Sequence, residues 1–188
     1  LQKFKFNKIY DFHITQEKLF KDSALNLVQD FLLGKNTLLF TYGATSSGKT
    51  YTMLGSIREV GLLPRSLDVV FNSLEERLMK NPLLKPLALN EVVRLNSQQT
   101  DAEEFERSLL MRGFDLDCSD SKDSISTISS CSIKDWNIRS RETTVCSLQF
   151  PGDYYSVWVS YCEIYNEQAF DLLESCDRKK KRTPLRIT

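Results

Sequence analysis

Apolar and polar positions alternate along "FKFNKIYDF" (residues 4–12), the pattern of a half-buried strand. The period then lengthens. In "ITQEKLFKDSALNLVQDFLLG", Leu19, Phe20, Ala24, Leu27, Val28, Phe31 and Leu32 make a wide apolar stripe of helical spacing. Thr15 is placed to cap that helix and Gly34 to stop it. "NTLLFTY" (residues 36–42) is a continuous apolar run of strand length, as expected of a central parallel strand buried on both faces. A glycine-rich stretch follows. "GLLPRSLDVVFNSLEERLMK" then returns to helical period, with Pro64 in its first turn and Leu67, Val70, Phe71, Leu74 and Leu78 on one face. Strand, helix, strand, loop, helix is the α/β pattern.

Residues 81–154 break that rhythm and read as an insertion within the domain. "LKPLALNEVVRLNS" includes room for a short strand, and "QQTDAEEFERSLLMRG" predicts a helix ending at Gly113. Residues 113–135 are expected to be disordered. Seven of the fourteen positions from Ser119 to Ser132 are serine, too few apolar groups to offset chain entropy. Apolar order resumes at Tyr155. The run to Tyr165 predicts a long strand with Val157, Val159, Tyr161 and Glu163 on one face. "EQAFDLLE" predicts a short helix, "RKKKR" a solvated basic run, and "TPLRIT" the start of a strand.

Composition narrows the class. Of 188 residues, 25 are Lys or Arg and 25 Asp or Glu, so no global charge points to nucleic acid or an anionic membrane. No apolar run approaches the roughly 20 residues of a membrane span. The first ten residues alternate with charges and do not form a signal peptide. The chain begins with Leu, and it is expected to be a piece of something longer. Five cysteines without C-x-x-C spacing predict reduced thiols rather than disulfides or a zinc site. His13, the sole histidine, reads as a surface or edge-strand residue. With one histidine, no Ser-His-Asp or Cys-His arrangement is available.

The chemistry concentrates in Gly43, Ala44, Thr45, Ser46, Ser47, Gly48, Lys49 and Thr50, which fit G-x-x-x-x-G-K-[ST]. Glycines let backbone N–H groups turn inward around phosphate oxygens, where a Cβ would obstruct the path. Lys49 would place its charge at the β- and γ-phosphates, and the Thr50 hydroxyl would ligate Mg²⁺. A helix starting near Gly48 would direct its positive end at the same anion. Hydrolysis asks for more: a second carboxylate in the metal shell and a group that orients water. Glu163, at the end of "SVWVSYCE", is the best candidate. The usual residue there is Asp, and a Glu163 that faces solvent or pairs with a neighbouring basic residue is the better reading.

"FTYGATSSGKTYTMLG", "GLLPR" and "VSYCEIYNEQAFDLL" resemble, in that order, three signature segments of the kinesin motor domain. The resemblance covers roughly Phe4 to Lys80 and Tyr155 to Thr188. It implies a P-loop NTPase-type α/β fold, a mostly parallel central sheet flanked by helices, present here as a partial kinesin motor domain. The long insertion, "LKPLALNEVVRLNSQQTDAEEFERSLL" and "RKKKRTPLRI" resemble the class-six cytokinetic kinesins of the mitotic kinesin-like protein 2 group. The implied cofactors are ATP and Mg²⁺, and the implied partner is the microtubule, at the spindle or its midzone.

Tyr51 falls where kinesins set a ring against the adenine. An ordinary buried aromatic on the helix is the equal alternative. "RKKKR" is either a contact to acidic tubulin or simply solvated, and Thr183-Pro184 either a phosphorylation site or a turn. Kinesins also carry N-x-x-S-S-R-S-H and D-x-x-G-x-E segments, and neither occurs in these 188 residues. No catalytic residue is therefore assigned in this chain. Three readings stand: the ATP-binding part of a microtubule motor, a non-hydrolysing nucleotide-binding remnant, or a generic P-loop kinase or GTPase. Direction of travel and oligomeric state would be set by regions outside this sequence. Taken alone, the chain is expected to leave strand edges unpaired and apolar surface uncovered.

Overall fold

A computed structural model describes residues 3–79, 81, 83–87, 91–117, 138–173 and 183–186. They fall into two units: Leu1–Glu76 with Lys134–Asp153, and Arg77–Ile133 with Tyr154–Thr188. The Ser119–Ser132 stretch and "RKKKR" lie outside the described residues.

The first unit is built on helices. The first expected helix forms as two, α1 (Gln16–Ser23) and α2 (Leu25–Leu32), with an irregularity at Ala24. The Ser23 hydroxyl donates to the Leu19 carbonyl at 2.5 Å, a local bond that competes with the helical ladder. Thr15 caps α1 as expected, its hydroxyl accepting from the Lys18 amide at 3.2 Å. Gly34 ends α2 at φ +80° in a Schellman arrangement. The Gly34 amide donates to Phe31, and the Lys35 amide to Asp30. A Cβ on Gly34 would come within 2.3 Å of Gln149 Oε1. Gly34→Ala is therefore expected to destabilise this unit by about 1–2 kcal/mol, read as a lowered thermal midpoint.

The third helix, α3 (Lys49–Met53), is a single turn. The fourth, α4 (Leu62–Leu74), starts at Gly61 with Pro64 in its first turn, and gives way to a 3₁₀ turn over Glu75–Arg77. α1, α2 and α4 pack together around Phe20, Ala24, Val28, Leu32, Val60, Val69, Val70 and Leu74. The buried face of α4 keeps Val70 and Leu74 of the expected one but is turned from the rest of it. Leu62, Arg65 and Val69 are buried, whereas Leu67 and Phe71 stay more than a third exposed.

Residues 139–146 explain the turn, because they lie along α4. Buried Arg65 donates to the Val60 carbonyl (2.9 Å) and to Glu142 Oε2 (2.8 Å). Arg139 grips Asp68 with both terminal nitrogens, at 2.7 and 2.6 Å. Asn72 donates to the Glu142 carbonyl, and the Ser73 hydroxyl accepts from the Cys146 amide. Arg65, Asp68, Asn72 and Ser73 are thus one polar stripe at helical spacing. It binds the end of the segment read as an insertion.

Burial pushes the Asp68 and Glu142 carboxyls up. Several smaller opposing contacts together bring both below their ordinary range: Arg139 and the Glu142 amide for Asp68, Thr144 and Arg65 for Glu142. Carboxyls depressed in the folded state stabilise it above their unfolded pKa and lose that contribution as pH falls through the folded value. Acid titration should therefore release residues 139–146 from α4 below about pH 4. Amide exchange of Cys146 as a function of pH would show it.

The expected parallel strands are not paired among the described residues. "FKFNKIYDF" and "NTLLFTY" carry no ladder, and Leu38, Phe40 and Tyr42 are 77%, 72% and 94% exposed. A parallel strand needs a neighbour distant in sequence, and the described residues supply none to these runs. The expectation of unpaired edges and uncovered apolar surface is met.

The second unit holds short antiparallel strands. β1 (Leu84–Pro86) pairs with β2 (Val92–Arg94), giving the short strand expected in "LKPLALNEVVRLNS". The last helix, α5 (Ser97–Asp117), runs past the expected stop at Gly113. Its start carries a reciprocal box that the sequence reading missed: Asn96 Oδ1 accepts from the Gln99 amide, and Gln99 Oε1 from the Asn96 amide. Tyr155 makes an isolated parallel bridge to Leu78. The ladder itself begins only at β3 (Cys162–Tyr165).

"EQAFDLLE" is a correction. Instead of a helix, Gln168–Asp171 forms β4, paired with β3. Its apolar residues fit either period, and the turn decides. Asn166 and Glu167 both take positive φ (47° and 61°), the requirement of a two-residue hairpin. β5 (Pro184–Leu185) adds to β4, as "TPLRIT" suggested. Thr183 is exposed just before it.

Candidate phosphate-binding site

The site is the turn between the unpaired "NTLLFTY" run and α3. Gly43 through Gly48 are exposed. The chain curls tightly: the Ser47 amide donates to the Ala44 carbonyl at 3.2 Å. A Cβ on Gly43 would sit 2.6 Å from Ser47 Oγ. Gly48 takes φ +87°, a left-handed conformation that glycine adopts freely, and Ser46 takes φ +63°. Gly48 thus stands where the backbone needs a glycine, while a Cβ on Gly43 would have to displace the Ser47 hydroxyl.

Lys49 reaches back over the loop. Its Nζ donates to the Gly43 carbonyl (2.9 Å) and the Ala44 carbonyl (2.6 Å). A mobile ammonium held by two carbonyls at the loop mouth can exchange them for phosphate oxygens. Thr50 is exposed on α3. The donor set, an ammonium, a hydroxyl and a glycine-shaped curl, fits an anionic phosphate chain with a hard cation beside it. One expectation weakens. α3 has only five residues, so its aligned dipoles contribute less than a long helix would.

Tyr51 is more than half exposed, which overturns its reading as a buried aromatic and leaves the ring free for another plane. Glu163 is exposed on β3, opposite Phe170, in agreement with a solvent-facing carboxylate. His13 is exposed, its ring beside that of Phe12. Among the described residues, no group of three or more His, Cys, Asp or Glu could hold a metal ion. No helix among them is long and apolar enough to cross a membrane.

Sequence reasoning missed the supports of this site. A loop from Gly55 to Gly61 closes on itself behind α3, with the Gly61 amide donating to the Leu54 carbonyl and the Ser56 amide to Glu59. Gly55 (φ +73°) and Gly61 approach so closely that a Cβ on either would meet backbone within 2.2–2.7 Å. The signal was present as two glycines six residues apart, but without a partner strand it had no meaning. Gln16, buried under α3, gave no signal at all.

A model of the kinesin motor domain matches residues 1–188 in full, the insertion included. This chain belongs to the kinesin motor-domain family. It is 34% identical to kinesin-like protein KIF20A of Bos taurus over 98% of its length, and 38% identical to kinesin-like protein KIF20B of Homo sapiens over 100%. Kinesin-like protein KIF23 of Mus musculus is 36% identical over 91%. A solved structure described as "kinesin 6" superposes with a TM-score of 0.62 at 29% identity, over 96% of this chain. The kinesin chain spans 24%, 11% and 17% of those three relatives, and 42% of the solved one. Its fold class is the α/β kinesin class, in part, as expected from the motif segments.

Proposed function

We propose that this chain is the ATP-binding part of an ATP-driven microtubule motor that acts in mitosis or cytokinesis, on the spindle or its midzone. The observation that carries the reading is the Gly43–Thr50 curl with Lys49 Nζ at its mouth, in a chain of the kinesin family. Gly43, Ala44, Thr45, Ser46, Ser47 and Gly48 would wrap the phosphates with backbone N–H groups. Lys49 would neutralise their charge, the Thr50 hydroxyl would hold Mg²⁺, and Tyr51 would offer its ring to the base. Bound Mg²⁺ supplies charge neutralisation across the phosphate oxygens. Residues 81–154 are an insertion that leaves this loop untouched in sequence. Tubulin is the protein partner, and neither nucleic acid nor a membrane span enters.

Titration with a fluorescent N-methylanthraniloyl ATP in the presence of Mg²⁺ tests the binding half. Saturable binding that unlabelled ATP displaces and EDTA weakens is the expected result. Absence of displacement would end the ATP assignment. Hydrolysis is a separate matter. No residue here supplies the N-x-x-S-S-R-S-H or D-x-x-G-x-E groups, so negligible turnover is expected of these 188 residues, with or without microtubules. Microtubule-stimulated phosphate release by them would overturn that.

A further inference from the structure

Gln16 stands at the first position of α1, where a polar residue ordinarily faces water, yet it is 3% exposed. Its side-chain amide crosses to the phosphate-loop helix. Gln16 Nε2 donates to the Tyr51 carbonyl at 2.7 Å. That carbonyl needs a donor. Within α3 its ordinary partner would be the amide four residues on, at Gly55, where positive φ has already ended the helix. Gln16 therefore satisfies a helix end with an amide from another element. The contact is doubled from the other side. The Gln16 backbone amide, an orphan donor of the first turn of α1, lies 3.4 Å from Glu59 Oε2, in the loop that closes behind α3.

We propose that Gln16 is a positioning residue for the phosphate loop: it fastens the Tyr51 end of α3 to α1, and so fixes where Lys49 and Thr50 stand. The inference rests on the nucleotide-binding reading above. Three observations carry it together. The helix bearing Lys49, Thr50 and Tyr51 is only five residues long, a single turn closed at its ends by the Thr52 amide on the Gly48 carbonyl and the Leu54 amide on the Thr50 carbonyl. Such a turn does not hold itself in place. The strand run before the loop is unpaired among the described residues and gives no support on that side. Burying a primary amide under the turn costs free energy that a leucine would not, and Gln16 Oε1 has no protein donor. An apolar side chain would fill the same space without that cost. What the amide adds is the bond to Tyr51.

The test compares Gln16→Leu and Gln16→Glu with the unaltered full chain, with Lys49→Ala run beside them. Leucine keeps the volume and removes both polar atoms. Glutamate keeps the shape and sets an acceptor against the Tyr51 carbonyl. Two readouts are taken: amide exchange of the ligand-free chain, and affinity for N-methylanthraniloyl ATP with Mg²⁺. The inference expects the Leu54 and Gly61 amides to exchange about tenfold faster in both variants, with α4 amides unchanged. It expects nucleotide affinity to fall about tenfold, the scale of one lost hydrogen bond. A merely structural role would instead speed exchange throughout α1, α2 and α4 and leave affinity where it was. That result would overturn the inference. If Gln16→Leu does not fold, Gln16→Glu decides on the same two readouts. If Lys49→Ala binds nucleotide normally, the site reading itself has failed. If Lys49→Ala is impaired and the Gln16 variants are not, only the positioning role has failed.

Discussion

Arg65→Ala is expected to destabilise the first unit by about 3–5 kcal/mol, the cost of breaking a buried ion pair from one side. Both partners are buried: the Arg65 and Glu142 side chains are 9% and 7% exposed. Removing the guanidinium leaves the Glu142 carboxylate with Thr144 and two amides but no cation. It also strips the Val60 carbonyl of its Arg65 Nε donor, at a residue with no solvent exposure. Two buried acceptors lose partners in one substitution, which is why the effect should exceed that of an ordinary surface pair. Urea unfolding followed by circular dichroism would measure it. The pair need not be net stabilising for this to hold. Arg65→Leu with Glu142→Leu should recover most of the loss, since two apolar groups of similar size replace two desolvated charges. A single Arg65→Ala loss under about 1 kcal/mol would mean that water reaches Glu142.

The second large effect is on binding. Lys49→Ala should weaken nucleotide affinity about 10- to 100-fold, the loss of hydrogen bonds to a charged group. Lys49 Nζ is the one group within the curl that carries a full positive charge, and it already bonds two loop carbonyls. Its removal therefore subtracts attraction for phosphate and also the brace that holds Gly43 and Ala44 in place. Lys49→Arg should not restore affinity, because a planar fork cannot occupy the point position of an ammonium beside two carbonyls. Titration with the fluorescent nucleotide reads both variants. Unchanged affinity in Lys49→Ala would refute the assignment of the loop as the phosphate cradle.

Local signals were legible without coordinates where a few adjacent residues settle the matter. Thr15 caps and Gly34 stops their helices because a hydroxyl and a missing side chain act over one turn. The curl at Gly43–Thr50 was likewise fixed by its own glycines and lysine. Family membership was also readable, from the order of three motif segments, and the match extends through the insertion. What failed was long-range. Residues 36–42 have the composition of a central strand but no ladder among the described residues, since pairing depends on neighbours distant in sequence. "EQAFDLLE" has apolar spacing that suits a helix, and positive φ at Asn166 and Glu167 folded it back as a strand.

The sequence by itself determined the glycine turn at 43–48, the Thr15 and Gly34 caps, the helical stretches before and after that turn and the family, because each rests on contacts within a turn or on residue order. Only the tertiary structure decided which face of α4 is buried, that residues 139–146 run along its polar stripe, and that Gln16 lies under α3 instead of in water. Those outcomes join residues from 35 to 77 positions apart. No periodicity along the chain records which polar side chain will find a distant partner, for the free energy of such a bond is set by the burial that packing alone creates.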